Sequence, residues 1–195
     1  VVTHVFFQRF LTLVDDGGLP GGVLSAPADG EGVATREIVV VESGLFRQPL
    51  LSWSQARPPF EKYSGCSRRD GWRDLPKPGF SHFYAKPRPD SSPGALLGAV
   101  ARGYYLLDAE GPAQVDANLE RFALPVCGFS LQGGRAVAPI DRAWLVGSVA
   151  VLLRNVQAVA RDLSFFPFDG MIGSPTLLVT GLELLPHAGL SPEIP

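Results

Sequence analysis

The chain has 195 residues, of which 46% are hydrophobic and 18% are charged, and this balance excludes a disordered protein. Its formal net charge of −2 gives no general attraction to nucleic acid or to anionic lipid. The longest apolar run, from Trp144 to Leu153, is too short to span a bilayer, and the two cysteines, Cys66 and Cys127, do not make a disulfide framework. We therefore expect a cytoplasmic protein with no membrane partner.

The first part of the chain has the composition of short strands separated by turns. Residues 1–14 are rich in β-branched and aromatic residues and predict one strand or two. Residues 15–22, DDGGLPGG, predict a turn. Residues 34–53 predict a β-hairpin whose tight turn lies at Glu42-Ser43-Gly44.

The middle of the chain is interrupted by prolines. Residues 54–79 contain four prolines and predict an irregular segment, and an aromatic run follows that predicts a short strand from Gly79. A helix is predicted over roughly Pro93 to Arg102, because proline suits the first helical turn. Gly133-Gly134 predicts another hairpin turn.

A second helix is predicted after Gly147. Ser148 is placed to cap its first turn. Apolar residues recur at three- and four-residue spacing, as on one face of a helix: Val149, Leu152, Leu153, Val156, Val159 and Ala160. The segment from Phe165 to Ser174 contains one proline and two glycines and predicts a loop, and Pro175 then opens a strand-like run.

This order of elements lacks the strand–helix–strand alternation of a parallel sheet. It predicts an α+β fold, with mostly antiparallel sheet and two or three helices. We expect a single domain over residues 1–195, in which residues 186–195 form a tail.

Five segments, taken in order, resemble the TldD/PmbA family over most of residues 6–185. They are LTLVDDGGLPGG, ADGEGVATREIVVVESGLFRQPLLSWSQA, SRRDGWRDLPKPGFSHFYA, ALLGAVARGYYLLDAEGP and GSPTLLVTGLEL. The chain departs from the family pattern at Ala28, where an acidic residue is usual, at Ala34-Thr35, which replaces a Pro-Ala pair, and at His82, where Asn is usual. The resemblance implies the C-terminal domain of this family and its fold, with a further N-terminal domain possible before Val1.

Catalytic members of the family resemble zinc peptidases, with an HExxxH helix upstream of the matched region and a cysteine ligand before the last strand. Here His4, His82 and His187 have no glutamate–histidine partner at helical spacing, and the segment SFFPFDGMIGS contains no cysteine. The ending resembles the non-catalytic PmbA (TldE-like) branch. The resemblance therefore implies no catalytic residue, no metal ligand and no cofactor in this chain, with zinc expected only in a catalytic partner.

The function that follows from the resemblance is support of peptide processing by a TldD-like zinc metallopeptidase. The expected partner is a TldD-like catalytic subunit or a second copy of the chain, and peptide substrate would be held as an added strand. The alternative is a self-associating binding or structural module with no proteolytic role. An HExxxH segment upstream of Val1 would reverse the non-catalytic assignment.

The candidate peptide- or interface-binding residues come from two segments. They are Asp29, Glu31, Gly32, Arg36, Arg69 and Trp72. The acidic pair in Asp29-Gly30-Glu31-Gly32 either bonds to nearby backbone N–H groups in a turn or lines a groove near the partner's active site.

Arg69 and Trp72 belong to a basic, aromatic-rich stretch, Arg57 to Arg88, with eight basic and three acidic residues. Such interleaving can bind single-stranded nucleic acid, but it also suits a solvated segment, and Arg and Trp are common anchors of protein interfaces. We expect no nucleic-acid partner.

Cys127 opens the sequence CGFS, which is also the signature of monothiol glutaredoxins. In those enzymes the cysteine begins a helix that lowers its pKa. The residues after Ser130, Leu-Gln-Gly-Gly, cannot continue a helix far, so we expect a chance match. A thiol enzyme that uses Cys127 is kept as a third hypothesis.

Overall fold

The structure, a computed structural model, describes residues 9–56, 65–116, 120–168 and 170–186. Its strands and helices, in chain order, are β1 (Leu13–Asp16), β2 (Glu37–Glu42), β3 (Leu45–Phe46), β4 (Ser67–Arg68), β5 (Lys77–Pro78), β6 (His82–Ala85), α1 (Pro93–Gly98), β7 (Arg102–Ala109), β8 (Gln114–Asp116), β9 (Arg121–Gln132), β10 (Arg135–Ser148), α2 (Val149–Arg154), β11 (Val156–Val159), β12 (Ser164–Pro167), β13 (Met171–Ser174), β14 (Leu177–Val179) and β15 (Glu183–Pro186). A 3-10 turn covers Trp53–Gln55.

The chain divides into two compact units. Among the described residues, unit 1 holds 9–87 and 162–175, and unit 2 holds 88–161 and 176–186. Apart from Pro186, the predicted tail lies outside the described residues, as do His4 and His187.

Unit 1 is built on a six-stranded sheet with the order β12-β13-β6-β1-β2-β3. Its pairings are antiparallel except for β13 with β6, which is parallel. Val14 and Ile38 are almost fully buried at its centre. The predicted hairpin is confirmed: Ser43 and Gly44 turn with φ of 50° and 80°, and β2 pairs with β3. Such left-handed pairs match the twist of a hairpin.

Unit 2 is built on the long hairpin of β9 and β10, in a five-stranded sheet. Gly133 and Gly134, with φ of 55° and 74°, make the predicted turn. β7 and β8 pair with β9, β15 pairs with β10, and β11 and β14 form a separate two-stranded sheet. All of these pairings are antiparallel.

The described chain is thus mostly antiparallel sheet with two short α-helices, as the sequence predicts. Ser92 caps α1 through a bond from Ala95 N, and the helix ends at Gly98, four residues earlier than predicted. Each of the two described α-helices is six residues long, and no helix in the described ranges is long and apolar enough to cross a membrane.

The long second helix predicted from Val149 to Ala160 is wrong beyond Arg154. Ser148 does cap α2, since its Oγ accepts a bond from Ala150 N at 3.2 Å. After Asn155 the chain extends instead as β11, where Val156 and Val159 are 0% and 2% exposed and pair with β14. β-Branched residues favour a strand, so the apolar residues are buried in sheet instead of on one helix face.

The loop predicted over Phe165 to Ser174 is also wrong. It is a hairpin in which β12 pairs with β13 and turns at Gly170, whose φ is 143°. Pro167 is tolerated because β12 is the outermost of the described strands in this sheet and pairs there only with β13.

Candidate functional site

Asp29 organises a tight turn that joins two distant parts of unit 1. Its Oδ1 accepts bonds from the backbone N–H groups of Glu31 and Val33, each at 2.9 Å. Its Oδ2 accepts a bond from Ser67 N, also at 2.9 Å. Gly30 N donates in turn to Ser67 O at 2.7 Å. The expected Asx-type turn is therefore present, and it also fixes this loop to β4.

Glu31 extends the same connection to a third segment. Its Oε2 accepts bonds from Trp53 N at 2.8 Å and from Ser67 Oγ at 2.5 Å. Gly32 completes the turn with a φ of 81°, a conformation that favours glycine. The two carboxylates thus act as structural acceptors that hold the 3-10 turn and β4 beside the Asp29 loop.

These contacts form an open pocket of about 690 Å³, which we call the Arg69 pocket. Its lining residues are Glu31, Gly32, Val33, Ala34, Arg36, Trp53, Arg69 and Pro76. Four of the six candidate residues, Glu31, Gly32, Arg36 and Arg69, therefore meet on one surface. A fifth, Asp29, lines a smaller neighbouring pocket of about 260 Å³ together with Arg68 and Arg69.

Trp72 lies outside both pockets. The residue is 82% exposed, and the guanidinium of Arg73 lies 4.4 Å from the ring centroid. Trp53 lines the Arg69 pocket instead and is 63% exposed. Trp53 was not among the predicted site residues, because it lies outside the basic, aromatic-rich stretch that contains Trp72.

The basic, aromatic segment does not form one continuous surface in its described part. Tyr84 is buried and its ring packs edge-on against Phe165, 5.5 Å between centroids. Burial and nearby carboxylates raise the pKa of Tyr84 to about 12, so the phenol stays protonated near neutral pH. Lys77 and Lys86 form ion pairs with Asp70 and Glu37.

Asp15 and His82 form a buried polar cluster between β1 and β6. The predicted turn began at Asp15, but β1 continues through Asp16, because Asp15 still pairs with Ile38 of β2 and Phe83 of β6. Asp15 Oδ1 also accepts bonds from Ser81 N at 2.7 Å and His82 N at 3.1 Å. Within the part of the chain that the structure describes, Asp15 Oδ2 is buried without a hydrogen bond. Desolvation raises the pKa of Asp15, and the two backbone bonds and the charge of Arg68 oppose this rise.

Asp15→Asn should remove a pH-dependent cost of folding. The pKa of Asp15 is higher in the folded protein than in the unfolded chain, where it is about 3.9, so loss of the proton destabilises the fold. This destabilisation is absent below the unfolded pKa and develops as pH rises through the folded pKa. The neutral amide can keep an oxygen for the two backbone donors. The stability of the variant relative to the original chain should therefore increase from pH 4 to pH 8 in urea titrations. A constant difference would contradict this prediction.

The described residues do not fit a zinc site. Both ring nitrogens of His82 are in use: Nδ1 donates to Asp16 O at 3.0 Å, and Nε2 accepts from Leu24 N at 3.4 Å. No group of three or more His, Cys, Asp or Glu side chains is placed to hold a metal ion within the described ranges. His82 is therefore a buried strand residue that anchors the loop before residue 25.

Cys127 lies within β9, away from any helix start. It is half-buried, and its Sγ lies 3.9 Å from Asp108 O on the neighbouring strand. The helix N-terminus on which a glutaredoxin-like cysteine depends is not found at this position. Cys66 is buried, with its Sγ 3.8 Å from Leu51 O.

Comparisons with known proteins agree with this architecture. The family model for the PmbA/TldA metallopeptidase C-terminal domain matches residues 3–185. The metalloprotease TldD homologue of Buchnera aphidicola subsp. Schizaphis graminum is 27% identical over 167 residues, which cover 85% of this chain and 34% of that protein. An uncharacterised protein of Methanocaldococcus jannaschii is 33% identical over 175 residues, covering 90% of this chain and 40% of that protein.

A solved structure shows the same fold. TldE from Thermococcus kodakarensis superposes with a TM-score of 0.81 at 22% identity, covering 94% of this chain and 41% of that one. The chain spans about a third of the length of the first curated relatives that it matches, 34% in each case. With a family model matching nearly its whole length, the chain belongs to the TldD/PmbA family, in the region of the family's metallopeptidase C-terminal domain.

Proposed function

We propose that this chain is a non-catalytic, TldE/PmbA-like domain that supports peptide processing by a TldD-like zinc metallopeptidase subunit in the cytoplasm. One observation carries the proposal. In the Arg69 pocket the carboxylate of Glu31, and beside it that of Asp29, already accept bonds from backbone and serine donors. Carboxylates that already accept such bonds stabilise the shape of the surface and are poorly suited to act as general acids or bases.

What these carboxylates support is a binding surface. Arg36, Arg69 and Trp53 line the pocket that they shape. Arginine and tryptophan are the side chains that most often anchor recognition of another chain. In this proposal the peptide is an extended strand added at a sheet edge. Among the described strands, β3 and β12 are the outermost ones of the six-stranded sheet in unit 1.

The names of the relatives support a proteolytic setting. Several curated relatives are called metalloproteases, among them TldD homologues and a PmbA homologue from Haemophilus influenzae. We assign the zinc and the hydrolytic step to the TldD-like partner, because the described histidine is occupied by backbone bonds and the segment from Ser164 to Ser174 has no cysteine.

The zinc content of the purified chain tests the non-catalytic role. The expected result is less than one bound equivalent after dialysis against zinc, and no chelator-sensitive hydrolysis of casein or of short peptides. One equivalent of zinc together with peptidase activity of the chain alone would overturn the proposal.

A self-associating module is the second candidate, favoured by exposed apolar side chains on one hairpin. Phe166, Phe168 and Ile172 of the β12–β13 hairpin are 61%, 70% and 36% exposed. Light scattering with and without a co-expressed catalytic partner separates the two functions. A stable homo-oligomer that does not bind the catalytic partner would favour the self-associating module. A complex with that partner would favour the role in peptide processing.

A further inference from the structure

We propose that the Arg69 pocket binds a carboxylate of a peptide next to an apolar or aromatic side chain. This inference rests on the proposed function, because it specifies the class of peptide that the domain would hold. It names a ligand chemistry that either a peptide C-terminus or an acidic side chain could supply.

The first support is the fixed guanidinium of Arg69. Its Nε donates to Gly30 O at 3.0 Å, and its Nη1 donates to Asp74 O at 2.6 Å. These bonds hold the planar group in place. Among the described residues the two N–H groups of Nη2 have no acceptor, so they can donate to a ligand. A pre-positioned arginine loses little side-chain freedom on binding, and its geometry suits a carboxylate.

The second support is that the carboxylates beside the pocket are already engaged. Glu31 Oε2 accepts two bonds, from Trp53 N and Ser67 Oγ, and the two oxygens of Asp29 accept three backbone bonds. Among the described residues neither carboxylate forms an ion pair with Arg69. The positive charge of Arg69 therefore remains available to an incoming anion.

The third support is an apolar wall beside the arginines. Trp53, 63% exposed, lines the pocket with Val33, Ala34 and Pro76. An exposed tryptophan ring offers a large apolar contact area that an aliphatic or aromatic side chain can cover. The volume of about 690 Å³ lies within the range of ligand pockets, about 300–1,000 Å³. A carboxylate and a neighbouring apolar side chain fit the two halves of this surface.

Calorimetric titration of the chain alone with three peptides tests the proposal. The peptides are acetyl-Ala-Ala-Phe as the free acid, the same peptide as the C-terminal amide, and acetyl-Ala-Asp-Phe amide. We expect the free acid to bind about tenfold or more tightly than the first amide. Binding of the Asp-containing amide at the level of the acid would show that a side-chain carboxylate suffices, and weak binding would assign the site to the C-terminus.

Variants show whether Arg69 binds the carboxylate. Arg69→Gln should reduce the difference between acid and amide to less than about threefold. Arg73→Gln, in the matched control position on the surface beside Trp72, should leave the difference intact. Trp53→Ala should weaken both peptides equally. Because each variant is judged by the difference between two peptides, a general loosening of the loop would not imitate the result.

Equal binding of the free acid and the amide would overturn the proposal. So would the absence of binding of the acid at about 1 mM peptide. Tight binding of inorganic phosphate without binding of the acid would also overturn it. Failure of the carboxylate site can be distinguished from failure of the proposed function. A site that prefers the acid could stand even if the chain had no effect on a TldD-type subunit. Stimulation of that subunit with equal binding of acid and amide would refute only the carboxylate site.

Discussion

Asp29→Ala should lower the free energy of unfolding by about 3 kcal/mol, because the substitution leaves three backbone donors without their acceptor. The N–H groups of Glu31, Val33 and Ser67 all bond to this carboxylate. A hydrogen bond to a charged group contributes about 1.5–3 kcal/mol, and partial hydration of this half-buried site keeps the sum well below three such bonds. For a chain of 195 residues the melting temperature should fall by about 6–12 °C.

Two further variants make this measurement specific. Asp29→Asn retains one acceptor oxygen but places an amide N–H group against a backbone donor, so its loss should be intermediate. Asp90→Ala removes an exposed carboxylate from the loop before α1 and should change stability by less than about 0.5 kcal/mol. Equal stability of the Asp29→Ala and Asp90→Ala variants would show that the Asp29 turn does not hold the loop.

Gly128→Ala should destabilise unit 2 by at least about 3 kcal/mol. A Cβ atom at this position would lie far inside contact distance of Tyr105 O and 2.9 Å from Leu106 Cα. Both atoms belong to the backbone of β7, which pairs with β9 here through Leu106 and Gly128. The extra methyl group can fit only if the two strands separate, and the backbone bonds between them would then be lost. Chemical denaturation followed by circular dichroism measures the effect.

Gly94→Ala is the matched control for this substitution. A Cβ atom at Gly94 meets nothing within 4 Å, and the residue lies in α1. Alanine should therefore stabilise the helix by about 0.5–1 kcal/mol. Similar unfolding midpoints for the Gly128 and Gly94 variants would contradict the close approach of β7 and β9. The same contact gives the glycine of CGFS a packing role that has no relation to thiol chemistry.

The hairpin turns were predictable from sequence because their determinants are local. Gly44, Gly133 and Gly134 adopt positive φ, which glycine allows at little cost, and each lies between runs of strand-forming residues. The segment after Arg154 was not predictable in this way. The spacing of its apolar residues suits a helix face, but its strand partner β14 begins only at Leu177. Pairing between segments so far apart in the sequence cannot be detected from the local pattern of residues.

The candidate site was predictable in part. The motif resemblance covers Glu31, Gly32 and Arg36, and the basic, aromatic stretch contains Arg69. The Asp29 and Glu31 carboxylates bring these two segments together through Ser67. Trp53 was missed because its place in the pocket depends on a bond from its backbone N–H to Glu31, and this bond is independent of its side-chain type. Trp72 was selected for its neighbours in the sequence, which do not determine where its ring lies.

The most direct measurement of the proposed role is peptide hydrolysis by a TldD-type metallopeptidase subunit from the same genome, assayed with and without this chain. The expected result is that neither protein alone cleaves the peptide efficiently, that the mixture does, and that the Asp29→Ala variant supports less cleavage than the Asp90→Ala variant. A cleavage rate that is unchanged when this chain is added would contradict the role that we propose.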